Sequence, residues 1–159
     1  MARDTQRIAL AALVGLHLLV NVAHGLAHGS AGVNLGPVSM AFVFIVIMAG
    51  PLIGLAWMWR PSTSLGAGPS TWLGAGRTTG ARVIGVTMAA SLVFGLVNHF
   101  VIAGADRVDH VAMEWRMMFG STAAILAIIE AAGTVMGLMY GRSERTGPTR
   151  AGRAVRRPI

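Results

Sequence analysis

The chain has 159 residues, 54% of them hydrophobic and 12% charged, with a mean hydropathy of +0.64; a soluble domain of this length carries more charge and fewer apolar residues. It has no cysteine, which excludes disulfides, thiolate zinc sites, thiol redox chemistry and haem attached through a Cys-x-x-Cys-His motif. The formal net charge of +7 rests on 13 arginines without any lysine, and six of these crowd the last 18 positions, so the excess describes a tail and not a nucleic-acid-binding face.

In chain order, residues 1–7 are a short polar start with Arg3 and Arg7, and the first apolar run covers 8–28. A bilayer core about 30 Å thick needs roughly 20 apolar residues in a helix, so this run is long enough to span. A charged start followed by an apolar run also fits a secretory signal, but His17 and Asn21 interrupt the run and the next one begins within ten residues. At 100° per residue, His17, Asn21, His24 and His28 fall on a stripe about 60° wide. Polar groups inside a bilayer are expensive and face the bundle interior or water, so this stripe is expected to point inward.

The second span, 38–59, has no ionisable residue before Arg60. Its Gly50-Pro51 pair predicts a kink, because Pro51 cannot donate to the carbonyl of Ile47. It is expected to supply walls and not chemistry. Residues 62–76 repeat Ser-Thr-x-Leu-Gly-Ala-Gly eight positions on, which reads as a flexible linker with Trp72 at the headgroup level. The third span, 83–105, carries Thr87, Ser91 and Asn98 on one stripe with Gly95, and His99 about 100° away from Asn98. His24 lies 16 residues from Ile8 and His99 16 residues from Val83, which predicts two imidazoles at one depth, each ~24 Å from the inner boundary.

Between the third and fourth spans, Asp106, His110 and Glu114 are spaced by four and are expected on one face of a short helix, with Asp109 beside them. There His110 and a carboxylate would cap the histidines from outside, and the nearby Met113, Met117 and Met118 would favour Cu(I). The fourth span, 117–140, contains Glu130, the one carboxylate inside a span, at roughly the level of His17. The pair is either the inner half of a proton path or a buried acid bonded to a neighbour. Gly133, Gly137 and Gly141 form a small-xxx-small series suited to close packing within the bundle or to a homo-oligomer.

The expectation is therefore an all-α polytopic protein of the plasma (inner) membrane, with four transmembrane helices in an up-down-up-down bundle. Arg3, Arg7, Arg60, Arg77, Arg82 and the six tail arginines fall on one side and only Arg107 and Arg116 on the other, which predicts cytoplasmic termini. The chain divides into a cytoplasmic N-terminus (1–7), a transmembrane domain (8–141) and a disordered Arg-rich tail (142–159) attracted to anionic lipid headgroups. Two functional classes fit. In one, the outer half holds a cofactor: a haem b between His24 and His99, or a copper, zinc or iron ion among His24, His28, His99 and His110 with Asp106, Asp109 or Glu114. In the other, the protein is a non-catalytic accessory or scaffold subunit of a membrane complex and the polar stripe only fixes helix register. No nucleophile motif marks an enzyme, and only Glu130 and His17 suggest proton chemistry.

Overall fold

The computed structural model of the chain describes residues 2–60 and 71–143, with side chains over 4–60 and 77–142. The arginine-rich tail and most of the repeat-bearing linker lie outside the described residues. Within them the fold is all-helical. Helix α1 is Ala2–Ser30, α2 is Pro37–Trp59, α3 is Thr71–Leu96 continued by a π turn over Val97–Val101, and α4 is Met113–Ser143. All four are long and apolar enough to cross a membrane, with qualifying stretches of 27, 23, 25 and 30 residues. α3 begins at Thr71, so the expected linker gives way to helix several residues early.

The distribution of side chains is that of a membrane protein. Ile8, Leu19, Leu26, Ile45, Val93, Ile128 and Met139 point outward, whereas His17, His24, His28, Ser91, His99 and Glu130 are buried. Lipid is as apolar as leucine, so an outward leucine costs nothing there, and polar groups are driven to one another.

Backbones approach closely where glycine allows it. A Cβ on Gly137 would lie 2.7 Å from both the Ala81 carbonyl and the Gly85 nitrogen, and one on Gly133 or Gly141 would strike Met88 or Arg82. The glycine series of α4 therefore packs against α3 inside the chain. Gly50 and Gly54 of α2 meet Thr87, Ile84 and Gly80 on the other side of α3 in the same way. The helices thus pack in the order α2, α3, α4, α1, and α1 meets α2 mainly through the Gly50–Trp59 stretch. There Arg7 donates to the Met58 carbonyl at 3.0 Å and lies over the Trp59 ring. Arg82 caps the last turn of α4 through the Gly141 carbonyl, at 2.6 and 3.2 Å.

The discontinuity expected at Gly50-Pro51 takes the form of a π segment, Val43–Ala49. Pro51 offers no N–H to Ile47, and the widened turn lets the Gly50 N–H reach the Ile45 carbonyl instead. Two apolar clusters hold the bundle. Leu10, Val14, Met58, Ala81, Ile84, Met88 and Tyr140 fill the end with the arginines, and Ala27, Val33, Val111 and Phe119 fill the other. The polar residues lie between and beside them.

Candidate metal centre

The inward stripe of α1 brings His24 and His28, one turn apart, against His99 of α3. The equal depths expected for His24 and His99 are realised as contact, with their Nε2 atoms 3.1 Å apart. The three ring centroids are 4.8, 4.9 and 5.6 Å apart, and one ring nitrogen from each residue lies within 4.8 Å of the others. Phe119 of α4 backs all three rings, with centroid distances of 4.9, 4.7 and 5.1 Å. His99 sits in the π turn Val97–Val101, whose shifted hydrogen bonds leave its carbonyl to accept the Val108 amide of the following loop.

Hydrogen bonds assign the tautomers. The backbone carbonyl of Asp106 can only accept, so His99 Nδ1, 3.0 Å away, carries a proton and His99 Nε2 is bare. The single hydroxyl proton of Thr122 is claimed by its own helix carbonyls, Met118 at 2.8 Å and Phe119 at 3.0 Å. Thr122 Oγ1 can thus accept from His24 Nδ1 at 2.8 Å, the tautomer in which His24 Nε2 is bare as well. The two Nε2 atoms face each other at 3.1 Å, a spacing held either by one proton between them or by a cation that both lone pairs meet. His28 Nδ1 is buried with no hydrogen-bond partner among the described residues. The Asp106 carboxylate is near enough to act electrostatically on His28.

The loop above does not form the helix expected for 106–114. Residues 102–112 run as turns, with Arg107 N–H bonded to the Gly104 carbonyl and His110 N–H to that of Arg107. Gly104 and the absence of an apolar stripe leave no helical face to bury, and Arg116 fixes the turns by donating to the carbonyls of Asp109 and Val111. The i, i+4 alignment of Asp106, His110 and Glu114 is consequently lost. His110 is exposed and donates through Nδ1 to the Gly104 carbonyl. Asp109 pairs with Arg107 at 2.8 Å, and Glu114 is exposed at the start of α4. Met113, Met117 and Met118 are exposed, the first two at 82% and 85%.

Below the trio lies a second polar group. Glu130 Oε1 bonds to Ser91 Oγ and lies 3.2 Å from His17 Nε2. Asn21 Nδ2 is 2.9 Å from the same His17 nitrogen. Of the polar groups expected on one stripe of α3, Ser91 hydrogen-bonds to another helix, whereas Thr87 and Asn98 bond back to carbonyls of their own turn. A cavity of about 430 Å³ joins the two groups, lined by His24, His28 and His99 at one end and by Asn21, Ser91 and Glu130 at the other. Thr122, Phe119 and the Asp106 carbonyl were not foreseen. The sole signal for Thr122 was a hydroxyl inside an apolar run.

No protein family, curated protein or solved structure matches the chain, so its functional reading stands on this geometry.

Proposed function

We propose that His24, His28 and His99 hold a late first-row transition-metal ion, zinc, copper or iron, in a multi-pass protein of the plasma (inner) membrane. The bundle runs up-down-up-down with both termini cytoplasmic, which sets the trio beneath the outer face. The observation that carries this reading is the approach of the His24 and His99 Nε2 atoms to 3.1 Å, with a ring nitrogen of His28 within 4.8 Å of them. Two imidazoles on a tetrahedral ion, with metal–nitrogen bonds of about 2.0 to 2.1 Å, would hold their nitrogens about 3.3 Å apart. The spacing found needs to open by only a few tenths of an ångström.

The surroundings support the same reading. Each of these two rings gives its other N–H to a fixed oxygen, Thr122 Oγ1 or the Asp106 carbonyl, which is how ligating histidines are oriented and kept basic. Three imidazoles leave a fourth position open toward the cavity, the arrangement of a site that passes an ion on or works on a bound molecule. Three imidazoles without thiolate suit Zn²⁺, Cu²⁺ or Fe²⁺ over Cu⁺. A haem between His24 and His99 fits less well. It would need its axial nitrogens roughly 4 Å apart with the macrocycle between them, about twice a metal–nitrogen bond of ~2 Å, whereas here the rings touch.

Purification in mild detergent, elemental analysis and a visible spectrum test this. The expected result is about one metal ion per chain, restored by Zn²⁺, Cu²⁺ or Fe²⁺ after chelation, with at least a hundredfold loss of affinity in His24→Ala and His99→Ala. A Soret band lost in the same variants would replace the ion with haem. Colourless protein that takes up none of the three ions would leave a proton shared between His24 and His99, and the scaffold reading with it.

A further inference from the structure

The metal reading leaves one buried constellation unused. Glu130 is 4% exposed, His17 0% and Ser91 1%, and they come from α4, α1 and α3. Burial of three chemistry-bearing side chains in one contact, in the middle of membrane-spanning helices, is costly unless each is satisfied. Their protonation follows from the contacts. The His17 carbonyl only accepts, so the Asn21 atom 3.0 Å from it is the amide nitrogen, and that same nitrogen donates its second proton to His17 Nε2. His17 Nε2 is therefore bare. With His17 Nε2 accepting, Glu130 Oε1 bonds to it as a carboxylic acid that donates its proton, while Ser91 donates to the same oxygen.

This acid lies in the wall of the cavity that ends at the histidine trio. Seven residues of α1 separate His17 from His24, and eight of α4 separate Glu130 from Thr122, about 10–12 Å along either helix. The groups facing Glu130 are His17 and Asn21 from α1 and Ser91 from α3. The cavity wall on α2 is apolar at Ile47 and Met48. Beyond them the nearest ionisable groups around the cavity are the three imidazoles and, acting on His28, the Asp106 carboxylate.

We infer that Glu130, held by His17, Ser91 and Asn21, is a proton-exchange site coupled to metal occupancy of the trio: a divalent cation bound above expels the proton of Glu130. The inference rests on the metal reading. The charge count is the reason. Three neutral imidazoles contribute nothing against two positive charges, Asp106 supplies one negative charge, and ionised Glu130 supplies the second. A bound cation is the largest local charge in such a site, and across 10–12 Å of low-dielectric protein its field is only weakly screened. In the exchange the O–H bond of Glu130 breaks, its electron pair stays on the carboxylate, and the proton leaves through the cavity that Glu130 lines to a water of the bulk. Entry of the cation is thereby balanced by exit of a proton, the elementary step of an ion–proton exchanger.

The test uses the full-length protein in nanodiscs with Zn²⁺ alone as the probe. Calorimetry in buffers of different ionisation enthalpy counts the protons released per ion, and the Zn²⁺ affinity is followed against pH. The wild type is expected to release about one proton more than Glu130→Gln, and the slope of log affinity against pH is expected to fall by about one in that variant. Equal proton release and equal slopes, with Zn²⁺ still bound, would overturn the coupling and leave the metal site standing. Failure of the wild type to bind Zn²⁺, and Cu²⁺ and Fe²⁺ in its place, would overturn both. A second readout needs no variant to fold: the infrared band of a protonated carboxyl is expected in the wild type and lost when Zn²⁺ is added. Its persistence at saturating Zn²⁺ would also reject the coupling.

Discussion

The chemistry of the centre is decided by which nitrogen of each imidazole holds the proton. Thr122 can accept from His24 because its own hydroxyl proton is spent on the preceding turn of α4. Replacing Thr122 with Val keeps the shape and removes the acceptor, which frees His24 to adopt the tautomer that presents N–H to His99. Metal affinity is expected to fall by about 10- to 100-fold, as for other groups that orient ligating histidines. Thr122→Ser is expected to restore most of it, and Zn²⁺ titration of the purified variants checks both. At this scale the histidines were legible, since residues at i, i+4, i+7 and i+11 of one helix must share a face. Their partners were not. A threonine in an apolar run looks the same whether it only bonds back to its helix or also orients a ring.

The glycines divide by helix–helix interface. Gly137→Leu places a side chain where Ala81 and Gly85 already stand 2.7 Å away, so α3 and α4 must separate. Overpacking of this kind costs about 1–3 kcal/mol or more, and melting in detergent is expected several degrees below the wild type. Gly15→Ala, which meets nothing within 4 Å, is the control and is expected to melt at or slightly above the wild-type temperature. The small-xxx-small spacing was visible in the chain, but whether it served this bundle or a second copy depended on what faced it. The irregularity at Gly50-Pro51 was equally visible, because proline lacks a donor. The π turn at His99 was not, because it depends on a loop amide, Val108, reaching back to a helix carbonyl.

For the molecule as a whole, the reading requires the trio to face away from the side that keeps the arginines. Reporters fused to either terminus are therefore expected to be active only in the cytoplasm; an external C-terminus would place the metal centre at the inner face. On the metal reading acid is expected to weaken the centre, because the ring nitrogens of His24 and His99 accept either a proton or a metal and affinity falls with pH. Acidification of the purified protein is expected to release its metal, and elemental analysis after dialysis measures it.

The sequence by itself determined that four helices are long and apolar enough to cross a bilayer and that His17, Asn21, His24 and His28 turn inward. Both follow from local rules, the length needed to span the bilayer and the rotation of 100° per residue. Only the tertiary structure decided that His99 completes a trio while His110, Asp109 and Glu114 stay outside it. It also turned the equal depth of Glu130 and His17 into a contact and added Ser91 to it. These are contacts between side chains as many as 113 positions apart, and which atoms touch depends on helix rotation, on π turns and on the path of a loop, none of which has a period to read.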